Sequence, residues 1–161
     1  MLVGPRMLAD EDDPLRVVSS DDPVRYAGHA EARARQLGMV PESLSPEQPS
    51  LRKVLAVRPA GHLWTLRSSA GLTLALRARD FPLGKYARRD ARAIASRREE
   101  LESTHVVDID GRHRGWWLSL DGRVVLTSAR IRGIGQRGEA EREVRTVLRL
   151  LIELDETSRR K

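Results

Sequence analysis

Two spacings of hydrophobic residues alternate along most of this chain, and they constrain the fold more than any other feature. From Leu51 onward, apolar residues recur at every second position, which is the repeat of a strand with one buried face. Near residues 90–101, and again at residues 139–154, they recur at every third or fourth position, as in an amphipathic helix. The sequence therefore predicts blocks of strands that alternate with helices.

Six strands are predicted, in two groups of three. The first group reads "RKVLAVRP", "HLWTLR" and "LTLALRAR", and the second reads "THVVDID", "GWWLSL" and "RVVLTSARI". Asp121 and Gly122 join the last two strands, since an Asp-Gly pair suits the positive φ angles of a tight hairpin turn. We interpret each group as a three-stranded antiparallel meander.

Three helices complete the predicted order. Asp22 and Pro23 are a typical N-cap and first residue of a helix, which runs to about Leu37 and ends at Gly38. The other two helices are expected at residues 90–101 and 139–154. This order, α-βββ-α-βββ-α, indicates the α+β class, with an antiparallel sheet and the helices on one side of it.

Charge divides the chain into three parts. Residues 1–22 carry six acids and two arginines, whereas residues 52–161 carry 24 basic and 14 acidic residues. We interpret residues 1–22 as a disordered acidic leader, residues 23–155 as a single α+β domain, and residues 156–161 as a basic C-terminal tail. Such a leader can compete with a partner for the basic surface of the domain.

The basic balance predicts a polyanionic partner, but composition offers a second explanation. The net charge is +6, which favours binding to nucleic acid. Nearly all basic residues are arginine, and an arginine- and alanine-rich, lysine-poor chain is also typical of a GC-rich bacterial genome. The chain has no cysteine and no apolar run long enough for a signal peptide or a membrane span. We therefore expect a cytoplasmic protein without disulfides that does not bind membranes.

The segment "GIGQRG", residues 133–138, matches the glycine pattern of a dinucleotide-binding loop. That loop requires a second parallel strand after the helix, and only "DETSRRK" follows the last predicted helix. Glu139, Glu141 and Glu143 also occupy the helix N-terminus, where a phosphate would bind. We interpret the segment as a strand-to-helix connection and expect no cofactor.

No other motif supports catalysis. Asp108 and Asp110 lie on one face of a predicted strand and could share a divalent cation, but Asp110 is also the natural first residue of an Asp-Gly turn. The four histidines have no metal-ligand spacing, and no G-x-S-x-G or phosphate-binding lysine motif is present. We predict neither a metal site nor an enzyme.

Candidate binding residues are arginines near the second meander and one tryptophan. Trp116 shares a strand face with Leu118 and is assigned to the core, so its neighbour Trp117 is predicted to be the more exposed of the two and able to stack on a base. The predicted nucleic-acid-binding residues are Arg88, Arg89, Arg92, Arg97, Arg112, Arg114, Trp117, Arg130, Arg132 and Arg137.

Two resemblances of layout add to this interpretation. Residues 89–154 follow the α-β-β-β-α order of double-stranded RNA-binding domains, but Glu139 and Glu141 stand where those domains place lysines, so we do not adopt it. The unit "GWWLSLDGRVVLTSARI" and the helix after it resemble the end of type III secretion chaperones over about the last 60 residues. That resemblance implies partner binding.

We therefore predict a non-catalytic protein that binds nucleic-acid phosphates through an arginine-rich surface. The alternative is a protein-binding adaptor or chaperone-like module that uses an exposed sheet face with Trp64 and Trp117. A homo-oligomer is compatible with either function.

Overall fold

The computed structural model describes residues 13–42 and 61–159. These residues form eight strands, three α-helices and one short 3-10 turn at Arg98–Glu100. The strands are β1 (Leu15–Ser19), β2 (Val40–Pro41), β3 (His62–Arg67), β4 (Thr73–Arg77), β5 (Glu102–Val107), β6 (His113–Leu120), β7 (Arg123–Ser128) and β8 (Arg132–Gly133). The helices are α1 (Pro23–Leu37), α2 (Gly84–Ser96) and α3 (Arg137–Arg159).

All strands belong to one antiparallel sheet, in the order β1-β3-β4-β7-β6-β5-β2, with β8 paired to β6. The predicted α+β class is therefore confirmed. Strands β5, β6 and β7 form the second predicted meander, and β3 and β4 form a hairpin of the first. The first predicted strand, residues 52–59, lies outside the described residues.

The N-terminal segment contributes a strand that the sequence analysis did not predict. Residues Leu15–Ser19 pair with β3 along their whole length, with Val17 opposite Trp64. The prediction of a disordered leader is wrong for these residues, because pairing with β3 supplies backbone partners that local sequence cannot reveal. Residues 1–12 lie outside the described part of the chain.

The helices agree with the sequence except at their ends. Helix α1 has the predicted bounds, with Asp22 before it and Gly38 after it. Helix α2 begins at Gly84, six residues before the predicted start at Asp90. Helix α3 continues to Arg159, so residues 156–159 of the predicted tail are helical. None of the helices in the described ranges is both long and apolar enough to cross a membrane.

Helices cover both faces of the sheet, whereas the sequence analysis placed them on one side. On one face, Trp64 and Trp116 pack in a core with Ile94 of α2 and Val147 of α3. On the opposite face, a second core holds Trp117 together with Leu37, Met39 and Val106, close to the end of α1. Helix α1 therefore buries the face that was expected to stay open.

Helix α1 and strand β6 approach each other closely at Gly115. Gln36 of α1 is fully buried, its backbone oxygen accepts the Trp117 indole N–H at 2.9 Å, and its Nε2 donates to the Arg130 carbonyl at 3.2 Å. A Cβ atom at position 115 would overlap Gln36 Oε1 and would lie 2.7 Å from Ser128 Oγ. Only glycine fits between these groups without displacement.

A buried ion pair also fastens α1 to the sheet. Arg33 Nη1 lies 2.7 Å from Asp80 Oδ1, and both side chains are almost fully buried. The Tyr26 hydroxyl donates a hydrogen bond to the other Asp80 oxygen. Burial, reinforced by the Asp80 charge, raises the pKa of Tyr26 to about 12. These contacts hold α1 against the end of β4.

Candidate nucleic-acid interface

Helix α2 presents four basic side chains on its outer side, which we call the α2 cationic face. Lys85, Arg88, Arg89 and Arg92 are all exposed. Residues three, four and seven positions apart lie on the same side of a helix, so these four side chains form one stripe. At a rise of about 1.5 Å per residue, the stripe extends over about 10 Å. It is long enough to contact more than one phosphate of a nucleic-acid strand.

The α2 cationic face is not neutralised from within the helix. Asp90 is the only acid between Gly84 and Ser96, and it is turned toward the sheet. Its Oδ2 accepts hydrogen bonds from Arg77 Nε and from the Trp64 indole N–H, both at 2.7 Å. None of the four basic side chains forms an ion pair with any residue of the described ranges. Their charges are therefore available to a partner.

An aromatic side chain lies beside this stripe. Tyr86 is 39% exposed, with Lys85 Nζ 5.4 Å and the Arg89 guanidinium carbon 5.7 Å from its ring centre. Leu83, just before the helix, is also exposed. Lys85 and Tyr86 were not predicted, because the second helix was expected to begin at residue 90. The signal that could have found them is the apolar spacing of Ala87 and Ala91, which continues the helix backward.

Trp117 does not contribute to this surface, and the prediction that it is the exposed tryptophan is wrong. It is fully buried beneath the end of α1, and its indole N–H donates to the Gln36 carbonyl. Neither face of its ring is open to a base. The alternation of side chains along β6 correctly separates it from Trp116, but alternation cannot show that a helix covers both faces of the sheet.

Four of the predicted arginines are held by carboxylates. Arg114 is almost fully buried against Glu42, at 2.7 Å, and hydrogen bonding from Arg114 lowers the pKa of that carboxyl group. Arg132 lies 2.8 Å from the buried Glu143. Arg137 pairs with Glu42 and Glu141, and Arg97 pairs with Glu100 and Asp121. These four side chains stabilise the fold or are neutralised locally.

The remaining predicted residues fall into two groups. Arg88, Arg89 and Arg92 lie together on α2. Arg112 and Arg130 are exposed in loops, and within the described residues neither side chain forms an ion pair. The structure thus reduces the ten predicted residues to one compact helical group and two separate loop positions.

The glycine-rich segment connects β8 to α3, as predicted. The Gln136 side chain accepts the backbone N–H of Gly133 at 3.1 Å, and α3 begins at Arg137. Glu139 in the first turn pairs with Arg142 at 3.1 Å. The start of α3 therefore carries its own acidic side chains, which is unfavourable for a phosphate.

Asp108, Asp110 and His113 come together in the turn between β5 and β6. One ligand atom of each lies within 4.8 Å of the others. Asp108 Oδ1 accepts the backbone N–H groups of Arg112 and His113, at 3.1 and 3.0 Å, and Oδ2 lies 3.0 Å from His113 Nδ1. These hydrogen bonds, led by the backbone bond from His113, lower the pKa of Asp108 to about 2. The cluster is explained by closure of the turn.

Comparison with protein-family models, with curated proteins and with solved structures gives no match for this chain. Its function is therefore inferred from its own residues.

Proposed function

We propose that this protein is a non-catalytic binding protein that contacts nucleic-acid phosphates through the α2 cationic face. The observation that carries the proposal is the stripe of four exposed cations without ion pairs in the described structure, on a helix whose only acid faces inward. Phosphate contacts of this kind supply affinity with little sequence preference.

The rigidity of α2 favours this function. Ala87, Ala91 and Ile94 are buried against the sheet, so the helix presents its outer side chains from a fixed backbone. Arginine is well suited to phosphate, because its planar guanidinium donates two parallel hydrogen bonds. Tyr86 adds an aromatic ring at the edge of the stripe, where an unpaired base could stack.

The proposed adaptor surface on the sheet face is not supported by the two tryptophans assigned to it. Trp64 and Trp117 are both fully buried, one under each layer of helices. A partner protein would have to use another surface of the molecule.

The salt dependence of binding tests the proposal quantitatively. If all four cations displace counterions from a duplex, the slope of log K against log salt is about −3 to −4. We expect this slope in anisotropy titrations with a labelled 20-base-pair duplex, and a slope of about −3 with a single strand, for which each contact contributes about −0.7. The variant Arg88→Gln/Arg92→Gln should bind more weakly at low salt and have a slope smaller by about 2.

A matched control separates a local site from overall charge. Arg142→Gln/Arg159→Gln removes the same charge from two exposed arginines that are paired with Glu139 and Asp155. We expect this variant to bind like the wild type. The proposal is wrong if the wild-type protein binds neither nucleic acid at low salt, or if both double variants lose affinity equally.

A further inference from the structure

Within the described residues, strand β5 has an open backbone edge along residues 102–104, half of its length. On one side, all of Glu102–Val107 pairs with β6. On the other side, only Val106 and Val107 pair, with the two residues of β2. Within residues 13–42 and 61–159, no strand lies beside residues 102–105 on that side. An open edge of this kind can accept a further strand.

Two hydrogen bonds show which backbone groups face this edge. Glu42 N–H donates to the His105 carbonyl at 2.9 Å from the β2 side, and Asp108 N–H donates to the His113 carbonyl at 3.1 Å on the β6 side. Residues two apart along an antiparallel strand direct their backbone groups to the same side. The N–H and C=O of Ser103 therefore face the open edge.

A groove runs along this edge between β5 and α3, and we call it the β5–α3 groove. One end is a hollow of about 360 Å³ lined by Ser103, His105, Glu141, Val144, Arg145 and Leu148. The adjoining hollow, of about 290 Å³, is lined by Glu42, Ser103, Thr104, His105 and Arg137. Because the two hollows share Ser103 and His105, they form one continuous groove beside the open backbone.

The side chains of the groove define what it can hold. Val144 and Leu148 lie one helical turn apart and provide an apolar floor, at the margin of the main core. Arg145 is exposed and has no ion pair in the described structure, whereas Arg137 is occupied by Glu42 and Glu141. The groove can therefore hold an aliphatic side chain of a ligand against its floor and a carboxylate beside Arg145.

His105 supplies a polar group at the centre of the groove. Its Nδ1 is buried and has no hydrogen-bond partner in the described structure, while its Nε2 lies 3.8 Å from Glu141 Oε1. Burial, together with Arg137 and Arg114, lowers the pKa of His105, so the imidazole is neutral near pH 7. The neutral imidazole can use Nε2, which is not buried and has no hydrogen bond in the described structure, to hydrogen-bond a polar group of a ligand.

We propose that the β5–α3 groove binds an extended peptide segment of a partner protein, which adds to β5 as a further strand. The segment carries an aliphatic and an acidic residue two positions apart, because side chains at that spacing point to the same side of a strand. Backbone bonds to Ser103 provide the pairing, and the floor and Arg145 select the side chains. This inference is independent of the phosphate-binding surface on α2.

The experiment uses a fluorescein-labelled heptapeptide in which threonine alternates with valine, glutamate and valine, titrated into the full-length protein by anisotropy. There are three control peptides. One carries lysine in place of glutamate, and the other two carry N-methyl groups on alternate amides, one on the odd-numbered and one on the even-numbered residues. N-methylation removes the amide donors needed for strand pairing, and alternate amides of a strand face opposite sides. We therefore expect one of the two N-methylated peptides not to bind. The proposal would be overturned if both N-methylated peptides bind as tightly as the unmodified peptide.

Variants of the groove test the same contacts from the protein side. Ser103→Pro removes the outward N–H without removing a bond to β6, so we expect about tenfold weaker binding, whereas Ser103→Ala should bind like the wild type. Arg145→Glu should bind the glutamate peptide about threefold more weakly and should favour the lysine peptide. Arg142→Glu, which reverses a charge outside the groove, is the matched control. Thermal melts establish that each variant is folded.

Three further results would refute the proposal: no binding of the glutamate peptide to the wild type, equal binding to Ser103→Pro and Ser103→Ala, or a dimer that disappears in Ser103→Pro. The last result, measured by light scattering across a concentration series, would assign the edge to a second copy of this chain. If Ser103→Pro does not fold, the N-methylated peptides decide the question.

Discussion

Replacing Gly115 by alanine tests the contact that closes α1 over the sheet. The new Cβ would overlap the side-chain oxygen of Gln36 and approach its Cδ to 2.9 Å. Neither neighbour can move freely, because Gln36 is bonded to the Arg130 carbonyl and Ser128 Oγ accepts the Trp116 N–H at 3.1 Å. The substitution must therefore displace packed groups or break one of these bonds.

The expected cost follows from two opposing effects. Overpacking a close-packed interior costs about 1–3 kcal/mol, and this site lies near the upper end because the obstructing groups are held by hydrogen bonds. Replacing glycine by alanine also restricts the unfolded chain, which stabilises the fold by about 0.4–1 kcal/mol. The net loss in the free energy of unfolding is about 2 kcal/mol. For a chain of this size, that lowers Tm by about 4–8 °C.

A double-mutant cycle identifies the cause of this loss. Gln36→Ala removes the obstructing amide, so Gly115→Ala should cost at least 1 kcal/mol less in that background than in the wild type. Gly135→Ala is the matched control, since an added Cβ meets nothing within 4 Å and the φ angle is not positive. We expect that control to change stability by less than about 0.5 kcal/mol.

Urea unfolding followed by tryptophan fluorescence measures the free energies of unfolding of the four proteins in the cycle and of the Gly135→Ala control. The reasoning is refuted if Gly115→Ala is neutral or stabilising. It is also refuted if the Gly115 and Gln36 substitutions are additive, since α1 would then not contact β6 as described.

Two further predictions concern the buried group at the end of β4. The pKa of the Tyr26 hydroxyl is higher in the folded state than in the unfolded state. The contribution of Tyr26 to stability is therefore complete below about pH 10 and is lost as the pH rises through about 12. Urea unfolding from pH 9 to 12 should show a smaller decline in the free energy of unfolding for Tyr26→Phe than for the wild type. Arg33→Met breaks the buried ion pair with Asp80 and should cost about 3–5 kcal/mol in the free energy of unfolding. Arg33→Met/Asp80→Leu should recover part of that loss in urea unfolding. The second prediction would be contradicted if Arg33→Met and Arg33→Met/Asp80→Leu lose equal free energies of unfolding.

Local signals in the sequence predicted much of the fold. Asp22 and Gly38 flank α1 and Pro23 begins it, as predicted, although the Asp22 side chain makes no capping hydrogen bond and Gly38 has a right-handed helical conformation. The β6–β7 hairpin turns at Asp121 and Gly122, both with positive φ, as the Asp-Gly pair required. The helix-end residues and the turn residues act within a few positions of one another, so a single sequence contains the information.

The candidate site was only partly predictable. The sequence identified Arg88, Arg89 and Arg92 among its ten candidate residues. It did not distinguish them from Arg114 and Arg132, whose partners Glu42 and Glu143 lie 72 and 11 residues away along the chain. Whether an arginine is free or paired depends on these tertiary contacts.

By itself, the sequence determined the α+β class, the helix α1 and the basic character of the second half, since each follows from spacing, capping or composition. Only the tertiary structure decided that Leu15–Ser19 joins the sheet, that α1 buries Trp117, and that α2 carries a stripe of cations without ion pairs among the described residues. The physical reason is that strand pairing, burial and ion pairing join residues far apart in the chain, and periodicity records only which side of an element a residue occupies, not what covers that side.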